Sequence, residues 1–281
     1  MRIAVTGAGG GLGRAFLARA GREHDVVPFT HVELPIDDQR AVEQRIREAR
    51  PDLILNLAAM TSVDACELDP VAAFRANALG ARHVAMAASW ARALVVHVST
   101  DYVFDGAKGE PYHEFDEPAP ISAYGRSKLA GEREVATHAG EHLIVRTSWV
   151  FGGGKDFLTS ALGRLREGET VPAITDLTST PTYVGHLADR VLPAAEAGLR
   201  GVVHLGGPEP SSWFDLLSRT ASRLSLRGEV VAQKSDELGR PAPRPVYSAL
   251  TSLVVPGSGL EPMPPLDEAI DEILGGDRGL G

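Results

Sequence analysis

The chain of 281 residues carries a single cysteine, Cys66. One thiol can form neither an intrachain disulfide nor a thiolate-rich metal site. Positive charge is also scarce, with 28 Lys and Arg against 37 Asp and Glu and a net charge of −9. Such a surface has no general attraction for phosphate backbones, which argues against sequence-independent nucleic-acid binding and means a phosphorylated ligand needs a local site. No apolar run approaches the roughly 18 residues of a membrane span. The opening run, Met1-Arg2-Ile3-Ala4-Val5-Thr6, stops at glycines after about four apolar residues, too short for the core of a secretion signal. With the single cysteine, this points to a reducing cytoplasm. No cluster of His, Asp and Glu has metal-ligand spacing, so no metal site is expected; Asp37-Asp38 and Asp64 to Asp69 read as caps or solvated turns.

What is present is a globular composition, 43% apolar, with 30 Gly and 19 Pro dispersed along the chain and no internal repeat. Ile3 to Val5, Val26 to Phe29, Leu53 to Leu57, Leu94 to Ser99 and Leu143 to Val145 are apolar without strict alternation, as buried strands are. Helical patterns at 11–21, 38–49, 70–91 and 124–138 lie between them, the third opening on an Asp69-Pro70 cap. Strand and helix alternating at this spacing predict an α/β fold, a Rossmann-type doubly wound parallel sheet with right-handed crossovers. Beyond residue 150 the rhythm loosens, with helical patterns near 156–167, 186–199 and 213–225 and a capping box at Ser212-Trp213-Phe214-Asp215. Residues 1–150 are therefore read as a dinucleotide-binding half. Residues 151–281 are read as completing the sheet and adding a smaller C-terminal substrate-binding lobe, with Gly275 to Gly281 a frayed tail.

Directly after the first strand comes Thr6-Gly7-Ala8-Gly9-Gly10-Gly11-Leu12-Gly13. Gly7, Gly10 and Gly13 fit G-x-x-G-x-x-G: the first allows a tight turn, the second a close backbone approach to pyrophosphate, the third close packing of helix on strand. The helix N-terminus then favours the anion. Gly11 and Leu12 belong to the same loop. Ligands of such sheets sit beyond the strands' carboxyl ends. The second strand ends at Phe29-Thr30-His31 with no Asp or Glu at its tip, which argues against NAD, yet no Arg or Lys lies between Asp25 and Arg40 to hold a 2′-phosphate. Asp37 is either an adenine contact or a helix cap, and Ala58 and Ala59 either admit a cofactor or pack the core.

Ser99-Thr100-Asp101-Tyr102-Val103-Phe104 stands at the fourth strand's end, and the next helix opens Ser122-Ala123-Tyr124-Gly125-Arg126-Ser127-Lys128. Tyr124 and Lys128 are four apart and share a helix face. Reduction of a ketone by a nicotinamide needs a proton donor for the developing alkoxide, and a tyrosine of pKa about 10 is a sluggish one. An ammonium about 6 Å away, at an effective dielectric near 20, would favour the phenolate by roughly 2–3 kcal/mol, about two pKa units. Lys128 is placed to supply that field and to hold the nicotinamide ribose, while Thr100 would hydrogen-bond the substrate oxygen.

With these residues the chain resembles the extended short-chain dehydrogenase/reductase family, and within it the dTDP-4-dehydrorhamnose reductases. The match runs through Thr6 to Gly13, Asn56-Leu57-Ala58-Ala59, Asn77, Val96 to Phe104, Tyr124 to Glu132, Arg146-Thr147-Ser148-Trp149, Pro181-Thr182, Arg244-Pro245, Ser248 and Leu250. The resemblance implies Tyr124 as catalytic acid, Lys128 as its partner and Thr100 as the third member. It implies Asp101, Tyr102 and Trp149 at the sugar site and Arg244 at the nucleotide-sugar region. From the residues themselves, Trp149 is equally a core side chain and Arg244 a solvated arginine. NADPH is the implied cofactor, NADH the alternative, and a nucleotide sugar the implied substrate; a homodimer is left open.

Two departures stand out. Gly11 occupies a position where the family often has Gln, and Asp176-Leu177-Thr178-Ser179-Thr180-Pro181-Thr182 replaces Asp-Gln-x-Gly-x-Pro-Thr. The expected reaction is reduction of the C4 ketone of a dTDP-4-keto-6-deoxyhexose. An epimerase or 4,6-dehydratase of the same family is the first alternative, although a dehydratase wants an acid where Tyr102 stands. A non-catalytic nucleotide-binding subunit is the second.

Overall fold

The computed structural model describes residues 1–20, 23–154 and 156–277. The first half alternates β1 (Arg2–Thr6), α1 (Gly11–Ala20), β2 (Asp25–Phe29), α2 (Gln39–Ala49) and β3 (Leu53–Asn56). Short helices α3 (Val63–Leu68) and α4 (Pro70–Phe74) follow, then α5 (Gly80–Ala91), β4 (Leu94–Thr100), α6 (Ala123–His138) and β5 (Glu141–Thr147). The second half contributes β6 (Val150–Phe151), α7 (Phe157–Arg166), β7 (Thr170–Ile174), β8 (Thr182–Tyr183), α8 (Val184–Glu196), β9 (Gly201–His204), α9 (Trp213–Arg223), β10 (Glu229–Gln233) and α10 (Leu266–Asp277).

Six strands form one parallel sheet in the order β2-β1-β3-β4-β5-β9. β1 pairs with β2 on one side and β3 on the other, so the chain reverses direction there and a crevice opens beyond the carboxyl ends of β1 and β3. Pro28 is tolerated inside β2 because that strand is an edge. Both sheet faces are covered, which explains the apolar runs without alternation. Ile3, Val5, Leu55 and Val96 pack against Phe16 of α1 and Leu187 and Val191 of α8. Ala4, Ile54, Val95 and Ile144 face Val42 and Ile46 of α2, Val84 of α5 and Val135 of α6. A separate cluster of Leu158, Leu165, Val171, Leu216, Leu217 and Ile270 holds the smaller lobe, whose own sheet is the pair β7 and β10.

Local chemistry sets the helix starts. Asp69 Oδ1 accepts the Ala72 amide at 2.9 Å, Asp38 Oδ1 the Ala41 amide at 3.1 Å and Ser212 Oγ the Asp215 amide at 3.0 Å. The predicted helix over 70–91 is continuous but contains a π-helical turn at Arg75–Leu79. Inside that turn, the buried Asn77 bonds Met60 N at 2.8 Å, Met60 O at 3.0 Å and Ser127 Oγ at 2.9 Å. Helix α3 was not expected: Asp64, read as a solvated turn or cap, lies within it. Of the tail read as frayed, Gly275 to Asp277 close α10, and 278–281 lie outside the described residues. Among the described residues no helix is long and apolar enough to cross a membrane, and no group of three or more His, Cys, Asp and Glu is placed to hold a metal ion.

Candidate active site

A cleft of about 1190 Å³ runs along the carboxyl ends of β1, β3, β4 and β5, over the loop between β1 and α1. Gly7 turns with φ +66°, and a Cβ there would lie 2.7 Å from Ala58 N, so no other residue fits without moving β3's end. Gly10 N donates to Gly7 O at 2.9 Å, and a Cβ on Gly13 would meet Gly7 O at 2.6 Å. Gly11 abuts Gly153, where a Cβ would come within 3.0 Å of its Cα. Thus the residue that departs from the family pattern seats the β1 loop against the Gly152–Gly154 turn. Arg14, which sequence reasoning passed over, fastens the same junction by donating to Gly9 O at 2.5 Å and Gly153 O at 2.6 Å. Leu12, Ala58 and Ala59 line the cleft, and the Ala58 amide is fixed by Thr6 Oγ1 at 3.2 Å.

These features fit a dinucleotide. The loop is closed to side chains where backbone must come near, and the start of α1 faces the cleft. The hydroxyl of Thr147, at the cleft floor, is buried without a hydrogen-bond partner in the protein, as a group awaiting a ligand would be. At the β2 tip the expectation fails in one respect. Glu33 folds back so that Oε2 accepts both Thr30 N at 2.8 Å and Thr30 Oγ1 at 2.7 Å, placing a carboxylate where the sequence read none. The turn supplies the reason, since Leu34 N donates to Thr30 O at 3.0 Å and closes the chain so that the Glu33 side chain reaches back over Thr30. Asp37 lines the cleft, paired with Arg75 at 3.2 Å; the cap of α2 is Asp38.

Thr100 ends β4, and Tyr124 and Lys128 lie one turn apart on α6, whose N-cap Ser122 accepts the Gly125 amide at 3.1 Å. Gly125 makes the approach of α6 to the β4 loop, for a Cβ there would lie 2.1 Å from Tyr102 O. All three side chains line the cleft. The structure corrects the electrostatic expectation for Tyr124. Burial raises its phenol pKa, a bond to Thr100 lowers it, and Asp101 raises it again. A phenol held protonated is nonetheless the form a proton donor requires.

Lys128 is 2% exposed, and its ammonium donates to Val98 O at 2.8 Å, with His97 Nε2 at 3.5 Å. Behind it runs a buried polar chain, His97 Nδ1 to Asn56 Nδ2 at 2.9 Å and Asn56 Oδ1 to Thr6 Oγ1 at 2.6 Å, which sequence reasoning missed because the partners sit on different strands. Burial lowers the Lys128 pKa to about 8, Glu132 opposing. Lys128 is therefore cationic below about pH 8 and neutral above it. If the cation is used, a pH–rate profile of reduction falls about tenfold per unit on the alkaline side. A rate flat through that limb refutes the role.

Asp101, expected to touch substrate, is 1% exposed and committed within the protein. Its Oδ1 accepts from Thr100 Oγ1 at 3.0 Å, and its Oδ2 from Ser179 Oγ at 2.9 Å and Ser248 Oγ at 2.5 Å. It thereby ties the β4 tip to two loops of the second half. Ser179 stands where relatives commonly have Gly, so that departure serves this junction. Burial raises the Asp101 pKa to about 6 despite the three hydroxyl donors.

The far wall is aromatic. Tyr102 meets Tyr124 edge-on with centroids 5.7 Å apart, and Trp149 stacks on Trp213 at 4.7 Å with 4° between planes. Trp149 holds a left-handed backbone, φ +40°, a strained choice for a bulky residue that the stack and the bond from Thr182 N to its carbonyl oxygen sustain. Trp213 read in sequence only as a helix start; its role needed the fold. Arg244 grips Asp64 with two bonds, 2.8 and 3.1 Å, rather than standing free, and both its charge and that of Arg240 are felt by the Tyr102 hydroxyl.

The sequence profile of the RmlD substrate binding domain matches residues 1–277. The chain belongs to this family. A dTDP-4-dehydrorhamnose reductase of Mycobacterium tuberculosis is 40% identical over 272 residues, covering 93% of this chain and 88% of the relative. A probable dTDP-4,6-dihydroxy-2-methyloxan-3-one 4-ketoreductase of Streptomyces antibioticus is 36% identical over 287 residues, covering 99% and 97%. The crystal structure of a dTDP-4-dehydrorhamnose reductase from Bacillus anthracis in complex with NADP superposes with a TM-score of 0.94 at 34% identity, covering 97% of this chain and 98% of that one. Membership in the RmlD family thus agrees with the parallel sheet and with the glycine loop and Tyr-x-x-x-Lys pair on it.

Proposed function

We propose that this protein is an NADPH-dependent reductase of the C4 ketone of a dTDP-4-keto-6-deoxyhexose, acting in the cytoplasm. One observation carries the reading: a tyrosine and a buried lysine on one helix face share a cleft with a glycine loop closed to side chains where a pyrophosphate would approach. The relatives' names supply the sugar class. When bound, the dinucleotide supplies a hydride to the carbonyl carbon.

In this reading residues 1–150 hold the dinucleotide, through Gly7, Gly10, Gly11, Leu12 and Gly13 at the pyrophosphate, Thr30 and Asp37 at the adenosine end, and Ala58 and Ala59 along its edge. Residues 151–281 complete the sheet and close the sugar site. Tyr124 gives its phenolic proton to the carbonyl oxygen as the C4–O bond becomes an alcohol. Lys128 stabilises the phenolate left behind and binds the ribose hydroxyls. Thr100 positions the same oxygen, with Asp101 bonded to its hydroxyl. Tyr102 and Trp149 form the sugar wall, and Arg244 with Arg240 leaves one positive charge beyond Asp64 for a diphosphate. A dehydratase is disfavoured because Asp101 is enclosed by hydroxyl donors and its neighbour is Tyr102 rather than an acid.

The test follows nicotinamide absorbance with a panel of dTDP-4-keto-6-deoxyhexoses and with the corresponding 4-hydroxy sugars. Stoichiometric loss of NADPH with at least one keto sugar and none with the alcohols is expected. No oxidation of either dinucleotide across the panel refutes the reading.

A further inference from the structure

The β2 tip holds an anion of the protein's own making. Thr30 offers a backbone N–H and a hydroxyl at the rim of the cleft, and both donate to a single oxygen of Glu33, at 2.8 and 2.7 Å. In sheets of this kind that tip receives the adenosine ribose, and its donors or acceptors tell a free 2′-hydroxyl from a 2′-phosphate. A carboxylate there accepts from a hydroxyl and repels a phosphate. The residue comes 20 positions after Gly13, near the spacing at which an acid meets the ribose in dinucleotide sheets.

The opposing cation comes from elsewhere in the chain. Arg45 of α2 lies with its guanidinium 5.9 Å from the Phe29 ring centroid and its charge acts on Glu33. It also pairs with Glu48 at 3.4 Å. Glu33 is exposed, so its side chain is free to swing away, leaving two Thr30 donors and one nearby arginine, a set suited to phosphate oxygens.

We infer that Glu33 sets the discrimination between the two nicotinamide dinucleotides, its carboxylate competing with the 2′-phosphate of the phosphorylated one for the donors of Thr30. This rests on the cofactor reading above and makes the wild-type chain tolerant of NADH.

Glu33→Gln isolates the charge, since the Gln carbonyl oxygen still accepts from Thr30, and Glu33→Ala removes the side chain's bonds as well. Fluorescence titration of the purified full chain with NADPH and NADH gives Kd for each. Calorimetry with adenosine 2′,5′-bisphosphate and 5′-AMP repeats the comparison without the nicotinamide half. Both variants are expected to tighten NADPH relative to NADH by about tenfold, and the bisphosphate relative to 5′-AMP likewise, a change of about one decade in Kd ratio. Thr30→Val is expected to move both ratios the opposite way. Ratios unchanged from wild type in both Glu33 variants overturn the inference while leaving the cofactor reading intact. A wild-type chain that binds neither dinucleotide overturns the cofactor reading itself.

Discussion

Tyr124→Phe is expected to lower kcat by roughly two to four orders of magnitude, the range by which a positioned proton donor accelerates a reaction. The substitution removes one hydroxyl and preserves the ring that meets Tyr102 edge-on at 5.7 Å, so the aromatic wall stays in place. It leaves the glycine cradle and Lys128 untouched, and cofactor Kd should not change. Steady-state kinetics with the keto sugar, paired with NADPH titration, separates the two quantities. A variant that turns over like wild type refutes Tyr124 as the acid. Loss of cofactor affinity alongside kcat would place the hydroxyl in binding instead. The raised phenol pKa sharpens the expectation, because burial keeps the proton on Tyr124 and Thr100 is bonded to that same hydroxyl.

The largest stability effect is expected at an ion pair beneath the site. Arg146 of β5 and Glu132 of α6 have side chains only 4% and 5% exposed, and join through two bonds, 2.7 and 3.0 Å. Ser99 Oγ donates to the same carboxylate at 2.5 Å, and the guanidinium lies 5.2 Å from the Phe104 ring centroid. Arg146→Met keeps most of the volume but strands a buried carboxylate with one hydroxyl donor. Breaking such a pair from one side costs about 3–5 kcal/mol. For a chain of this size that corresponds to a melting temperature lower by roughly 10 °C. Pairing the change with Glu132→Gln removes the stranded charge and should recover the larger part of the loss. A double variant as unstable as the single one would show that packing, not charge, dominates. Glu132 also stabilises the Lys128 ammonium, so freeing it from Arg146 should move the alkaline limb of the rate profile upward.

Local chemistry explains why so much was readable in the linear chain. A cap depends on residues three apart, a helix face on residues four apart and a glycine turn on one backbone angle. Asp69, Ser212, Gly7, Tyr124 and Lys128 therefore declare themselves in sequence, and the apolar runs of β1 to β5 declare a sheet covered on both faces. The misses share the opposite property. The partners of Asp64 and Arg244 are 180 residues apart, those of Asp101 are 78 and 147 away, and neither spacing follows from any local period. Asp101 read as a substrate contact because the motif names the residue but not where its side chain goes. For Lys128 the helical repeat gives a face shared with Tyr124 but not the direction of its long side chain, whose ammonium donates to the carbonyl of Val98.

The sequence by itself determined the class of fold, and it located the glycine loop after β1 and the Thr100, Tyr124 and Lys128 residues of the proposed site, since each rests on steric or hydrogen-bonding needs met within a few residues. Only the tertiary structure decided the electrostatics of the site. Which carboxylates stay free, which are buried against hydroxyls and which oppose an arginine depend on long-range contacts between elements. That is why the net charge of −9 says little about the cleft, where the packing of β2 against its turn puts Glu33 on Thr30 and the packing of α3 against the Arg240–Pro245 loop puts Asp64 on Arg244.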